Sequence, residues 1–206
     1  RQEMTPEKSS KREGGALSWL AIYREPVVLR MFFLGFSSGL PLLLVLGTLS
    51  FWMREVGVDL KSIGFMSWVG LCWGMKWLWS PLVDKLRIPL LSSRLGQRRA
   101  WLLTAQIGLI VSLALMAFAD PAKSLTLTAA LALTTAFFGA TQDIALDAFR
   151  IESGSEEKQA AFAATYQTGY RLAMIWAGAG ALAIAAFFET QFGTAVGWRS
   201  ADLVMS

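Results

Sequence analysis

Apolar residues along this chain gather in long runs separated by short charged stretches; they do not alternate with polar positions. A helix needs about 20 residues to cross about 30 Å of hydrocarbon. Five runs reach that length, over residues 26–49, 62–83, 100–119, 125–149 and 159–188, and a sixth starts at Trp198. Within lipid a backbone must satisfy its own polar groups, so the runs predict helices. Barrel strands would alternate in segments of about ten residues, which these runs do not. The pattern therefore predicts an all-α membrane protein with five complete spans and the start of a sixth, forming one bundle over residues 26–206. Residues 1–25 are polar and charged apart from ALSWLAIY, and are expected to form a cytoplasmic tail with a short interfacial helix. A start at Arg1 and an end inside an apolar stretch lead us to expect a fragment of a longer chain.

Composition narrows the class further. The chain is 54% apolar and 17% charged, against about 45–50% and about 25% for a soluble domain. Too little polar material exists to cover a water-facing surface. A net charge of +4 invites a nucleic-acid partner, but the basic residues sit between apolar runs and build no basic face. There is no histidine and a single cysteine, Cys72. Histidine-based acid–base chemistry, a His or Cys-rich metal site and an internal disulfide are thereby excluded, and no metal or cofactor is implied. Twelve basic residues lie in the tail and in the loops after spans two and four, against four in the other three connecting segments. The positive-inside rule then predicts a cytoplasmic N-terminus and cytoplasmic even-numbered loops.

Ionisable groups inside spans are costly and point to function. Five occur: Arg30, Lys76, Asp143, Asp147 and Arg171. Counting residues at 1.5 Å per residue puts them in the half of the bilayer nearer the basic loops. Asp143 and Asp147 share a helix face at i,i+4 spacing. Two carboxylates that close resist ionising together, which suits a proton site; pairing with Lys76 and Arg171 satisfies them equally well as a structural network. Gln142, Tyr166, Gln167, Tyr170 and Arg171, with Ser37 and Ser38 in the polar break Gly35-Phe-Ser-Ser-Gly39-Leu-Pro41, are candidate ligand contacts or interhelical hydrogen bonders. Trp68, Trp73 and Trp77 could stack on sugar rings or serve as packing. Glycines at 35, 39, 70 and 74 allow close helix approach. The segment 150–158, RIESGSEEK, reads as a plain solvated turn.

The loop SPLVDKLRIPLLSSRLGQRRAW resembles the signature loop between helices two and three of the major facilitator superfamily. Asp84 and Lys85 stand at its start, and Gly96, Gln97, Arg98 and Arg99 at its end. A longer insert than is common separates the two halves. Resemblance makes Asp84, Lys85, Arg98 and Arg99 a gating loop. Three further segments, GFSSGLPLLLVLGTLSFWMREVGVDLKSIGF at 35–65, KWLWSPLVDK at 76–85, and ATQDIALDA with GYRLAM at 169–174, resemble the muropeptide permease (AmpG) family within that superfamily. The likeness runs from about residue 23 to residue 206.

It implies the N-terminal six-helix half of a twelve-helix secondary transporter of the bacterial inner membrane. The family imports anhydromuropeptides by proton symport for cell-wall recycling. Membrane lipid, a glycopeptide, a proton and the missing C-terminal half are then the partners, and nucleic acid is not. Its intramembrane charges map onto Lys76, Asp143, Asp147 and Arg171. A sister branch, the acetyl-coenzyme A transporters, shares the Gln-Asp-Ile-Ala-x-Asp segment and is the alternative. An intramembrane aspartyl protease would need acids on two helices, and a channel would need a filter or charge rings; neither feature is visible.

Overall fold

The computed structural model describes residues 25–154, 156–192 and 194–205. The tail and its interfacial helix lie outside the described residues. Every regular element among those described is helical. Helix α1 runs Pro26–Glu55, and its start is set by a proline in the first turn, where no amide partner is needed. Pro41 lies inside it, and a π-helical turn, Leu44–Thr48, follows. Element α2, residues 60–85, is not one helix. It consists of Leu60–Met66, a 3-10 turn Ser67–Gly70, Leu71–Gly74, a second 3-10 turn Lys76–Leu78, and Ser80–Lys85. Gly64, Gly70, Gly74 and Pro81 each weaken or interrupt regular helix within this stretch. The second span expected from hydropathy is thus a chain of short turns.

A short helix α3, Leu91–Leu95, precedes α4, Gln97–Phe118, and α5, Leu125–Glu152. Helix α6 comprises Glu156–Ile175, a π turn Trp176–Gly180 and Ala181–Phe192. Helix α7, Thr194–Met205, starts four residues before the expected Trp198. Among the described residues, four helices are long and apolar enough to cross a membrane: Pro26–Glu55, Gln97–Phe118, Leu125–Glu152 and Lys158–Thr190.

Helix α1 packs along α6, α4 along α5, and α7 folds back against α6 and α4. The α1–α6 seam is set by missing side chains. A Cβ on Gly35 or Gly39 would run into the backbone of Tyr166 or Tyr170, and one on Gly169 into the Phe32 carbonyl. Gly74 has open space around it, so the close approach expected there is absent. The main core joins Leu44, Leu49, Trp52 and Met53 of α1 to Met116 of α4, small alanines of α5 and α6, and Trp198 of α7. Small-residue contacts of this kind suit association in lipid, where apolar burial gives little drive.

Candidate functional site

Three helices meet around one buried carboxylate. Asp143 on α5 is 7% exposed. Its Oδ1 accepts a hydrogen bond from the Ser38 hydroxyl of α1. The Ser38 oxygen in turn accepts from the Tyr166 hydroxyl of α6 at 3.2 Å. Donors thus run from Tyr166 through Ser38 to Asp143. The chain can form because the α1–α6 seam is tight: Gly35 and Gly169 bring the two backbones close enough for Tyr166 to reach Ser38. The Tyr170 ring lies beside that of Tyr166, with centroids 6.3 Å apart. One residue along each helix, Gln142 Nε2 donates to the Ser37 hydroxyl at 3.2 Å, a second rung between α5 and α1. Gln142 Oε1 is buried with no hydrogen-bond partner, and its residue borders a 290 Å³ cavity with Ser37 and Gln106.

Asp147, one turn along α5, has a different setting. Its two oxygens lie 3.4 Å from Lys76 Nζ and 3.5 Å from Arg150 Nη2, and it is half-exposed. Two cations pair with it. Asp143 has a single donor among the described hydrogen bonds, the Ser38 hydroxyl. The i,i+4 pair therefore divides into an ion-pair acid and a hydroxyl-bonded acid. A 280 Å³ crevice lined by Lys76, Ser80, Asp84 and Asp147 runs along this side of α5. Arg171 does not join the pair: it is exposed on α6 and has no carboxylate partner among the described residues. Gln167 is exposed as well. Trp73 packs on the core, whereas Trp68 and Trp77 are exposed.

A second charged group fastens the helix ends. Arg98 Nη1 bonds Asp84 Oδ1, and its Nε reaches Glu152 Oε1 at 3.0 Å, tying α2, α4 and α5 together. Gln97 donates its amide to the Val83 and Asp84 carbonyls that end α2. Lys85 and Arg99 are exposed and make no ion pair among the described residues. The stretch read as a plain solvated turn is engaged: Arg150 binds Asp147, Glu152 binds Arg98, Gln159 donates to the carbonyls of Arg150, Ile151 and Gly154, and Lys158 grips both oxygens of Glu25 at 2.7 and 2.9 Å. Glu152, Glu25 and Gln106 were missed in sequence reading because nothing local marks a partner on another helix. Among the described residues no group of three or more acids or cysteines is placed to hold a metal.

In sequence the chain is similar to known transport proteins. The profile of the acetyl-coenzyme A transporter 1 family covers residues 27–129, half of the chain. The anhydromuropeptide permease of Escherichia coli K12 is 44% identical over 167 residues, 81% of this chain and 33% of that protein. The chain belongs to the AmpG-type permease family. A Rickettsia felis member assigned as transporter AmpG 4 is 38% identical over 164 residues, 80% of this chain and 39% of its own length. The chain thus spans about a third of the permeases it matches, and like them it is a multi-pass membrane protein.

Proposed function

We propose that this chain is the N-terminal helical half of a proton-coupled permease that imports anhydromuropeptides across the bacterial inner membrane. One observation carries the reading: a buried carboxylate, Asp143, sits at the end of a hydroxyl relay, one turn from an acid already neutralised by Lys76 and Arg150. A carboxylate whose hydrogen-bond partner is a hydroxyl, here that of Ser38, can gain and lose a proton without breaking an ion pair of its own. In this reading Asp143 carries the proton and Asp147 fixes the charge beside it. Ser37, Ser38, Gln142, Tyr166 and Tyr170 offer neutral hydrogen bonds to a glycopeptide, and exposed Gln167 and Arg171 face its polar and anionic groups. Arginine suits that last role through its planar, two-pronged donor geometry. Alternating access requires a second half moving against this one about a site near the midplane.

Asp143→Asn in the full-length protein tests the coupling. Gradient-driven uptake should be lost while substrate exchange without a gradient is retained. Wild-type gradient-driven uptake by a stable variant would remove Asp143 from the proton path. The family profile that names acetyl-coenzyme A favours a second reading, a carrier of that thioester. Competition separates the two: acetyl-coenzyme A should leave uptake of a labelled anhydromuropeptide unchanged if the first holds.

A further inference from the structure

The insert between Lys85 and Gln97 is built rather than slack. Leu91 N–H bonds the Pro89 carbonyl at 2.8 Å across Leu90, whose φ is +64°; this is the strained, positive-φ form of a γ-turn. Ile88 N–H bonds the Ser92 hydroxyl at 2.9 Å, and the Ser93 hydroxyl bonds the Leu90 carbonyl at 2.8 Å. Trp101 of α4 donates its indole N–H to the Leu86 carbonyl at 2.9 Å, which pins the insert to a membrane-spanning helix. The result of this scaffolding is an outward leucine: Leu90 is 77% exposed, and Leu86 and Leu95 are exposed beside it. Around them Arg87 and Arg94 are exposed with no carboxylate partner among the described residues. A 450 Å³ hollow bordered by Arg87, Ser92, Ser93 and Gly96 lies within the insert.

Water is a poor partner for the leucines, and no acid among the described residues answers the arginines. Both needs are met at one kind of surface, where acyl chains and phosphates lie within a few ångströms of each other. An interfacial segment gains from buried apolar area and from attraction to anionic lipid together. The insert cannot travel far from such a surface, since α2 and α4 hold both of its ends. We propose that the 86–96 insert binds anionic phospholipid headgroups, with Arg87 and Arg94 on the phosphate and Leu90 entering the acyl boundary. Its chemistry is that of a phosphodiester carrying net negative charge, as in phosphatidylglycerol. This proposal does not rest on the transport reading.

The test uses the full-length protein and native mass spectrometry, counting retained phosphatidylglycerol against phosphatidylcholine. Wild-type protein should retain phosphatidylglycerol preferentially, and the preference should fall as salt rises. The Arg87→Gln/Arg94→Gln variant should bind phosphatidylglycerol more weakly, about fivefold per arginine, the roughly 1 kcal/mol each basic residue gains at an anionic surface. Phosphatidylcholine retention should not change. Leu90→Gly, which removes the side chain and relieves the φ strain, should weaken both lipids equally. Equal retention of the two lipids by wild type, or unchanged retention by the double variant, would overturn the proposal. So would full displacement of the lipid by inorganic phosphate at equal concentration, since that outcome describes a free-anion site.

Discussion

At the scale of single residues, the two acids of α5 carry opposite expectations. Asp147 is held by Lys76 and Arg150 and is half-exposed, so Asp147→Asn should cost about 1 kcal/mol, the upper end for a solvent-screened pair. Asp143→Asn keeps an oxygen that can accept from Ser38 and should leave the melting temperature nearly unchanged. Thermal unfolding of both variants checks this, and the sign of the contrast matters: a larger loss at 143 than at 147 would make Asp143 the structural acid. The residues of this site were legible in the sequence as types at a depth. Ionisable groups inside apolar runs announce themselves, and i,i+4 spacing places two of them on one face. Partner choice was not legible. Arg171 lies in the same apolar layer as Asp143 by counting, yet it occupies the exposed side of α6. Counting gives depth along a helix axis; rotation about that axis depends on packing, here on which glycines face α1.

Helix scale is where Gly35, Gly39 and Gly169 set the α1–α6 seam. Gly35→Ala would drive a methyl into the Tyr166 carbonyl, and backbone cannot swing aside as a side chain can. The α1–α6 seam would have to open, at about 1–3 kcal/mol for an overpacked contact, and Tyr166 would be carried away from Ser38. Gly64→Ala, on a helix segment with nothing within 4 Å of the new methyl, should be neutral or should stabilise by up to about 1 kcal/mol. Measuring both melting temperatures separates a steric seam from a general cost of alanine. Farther along the same two helices, the π turns Leu44–Thr48 and Trp176–Gly180 lie against each other, and Thr48 donates to the Ala177 carbonyl at 3.0 Å. A π turn is a local widening of the helix, and the Thr48 hydroxyl ties one such turn to the other. Thr48→Val keeps the shape and removes that hydrogen bond from an apolar core, so it should cost about 0.5–1.5 kcal/mol, while Thr48→Ser should restore most of the loss. These features explain where hydropathy reading fell short. Apolar runs forecast the long helices well, because α1, α4, α5 and α6 must each satisfy their own backbone. They could not forecast that α2 breaks into short turns, since local glycines and a proline change the helix type without changing its hydropathy.

Across the whole molecule, the two ends of the bundle are fastened by different chemistry. At one end Arg98 joins Asp84 and Glu152, Lys158 grips Glu25, and Asp147 lies between Lys76 and Arg150. At the other, the Trp198 indole bonds Glu55 at 2.5 Å above an apolar core. The charged end also carries the basic insert with Arg87 and Arg94, and Arg99 at the start of α4, whereas the turn between α1 and α2 holds only Arg54 and Lys61 nearby. Lysine and arginine are retained on the cytoplasmic side of short loops, so the ion-pair end should face the cytoplasm and the Trp198–Glu55 end the opposite compartment. Ser93 and Lys61 are both exposed and lie at the two ends. With Cys72 replaced by alanine, Ser93→Cys and Lys61→Cys variants report the orientation directly. A membrane-impermeant maleimide added to intact cells stripped of their outer membrane should label position 61 and leave 93 unlabelled until the inner membrane is opened. Labelling at 93 with none at 61 would invert the chain, place Asp84 and Arg98 on the far side, and make the basic loops follow some constraint other than charge retention.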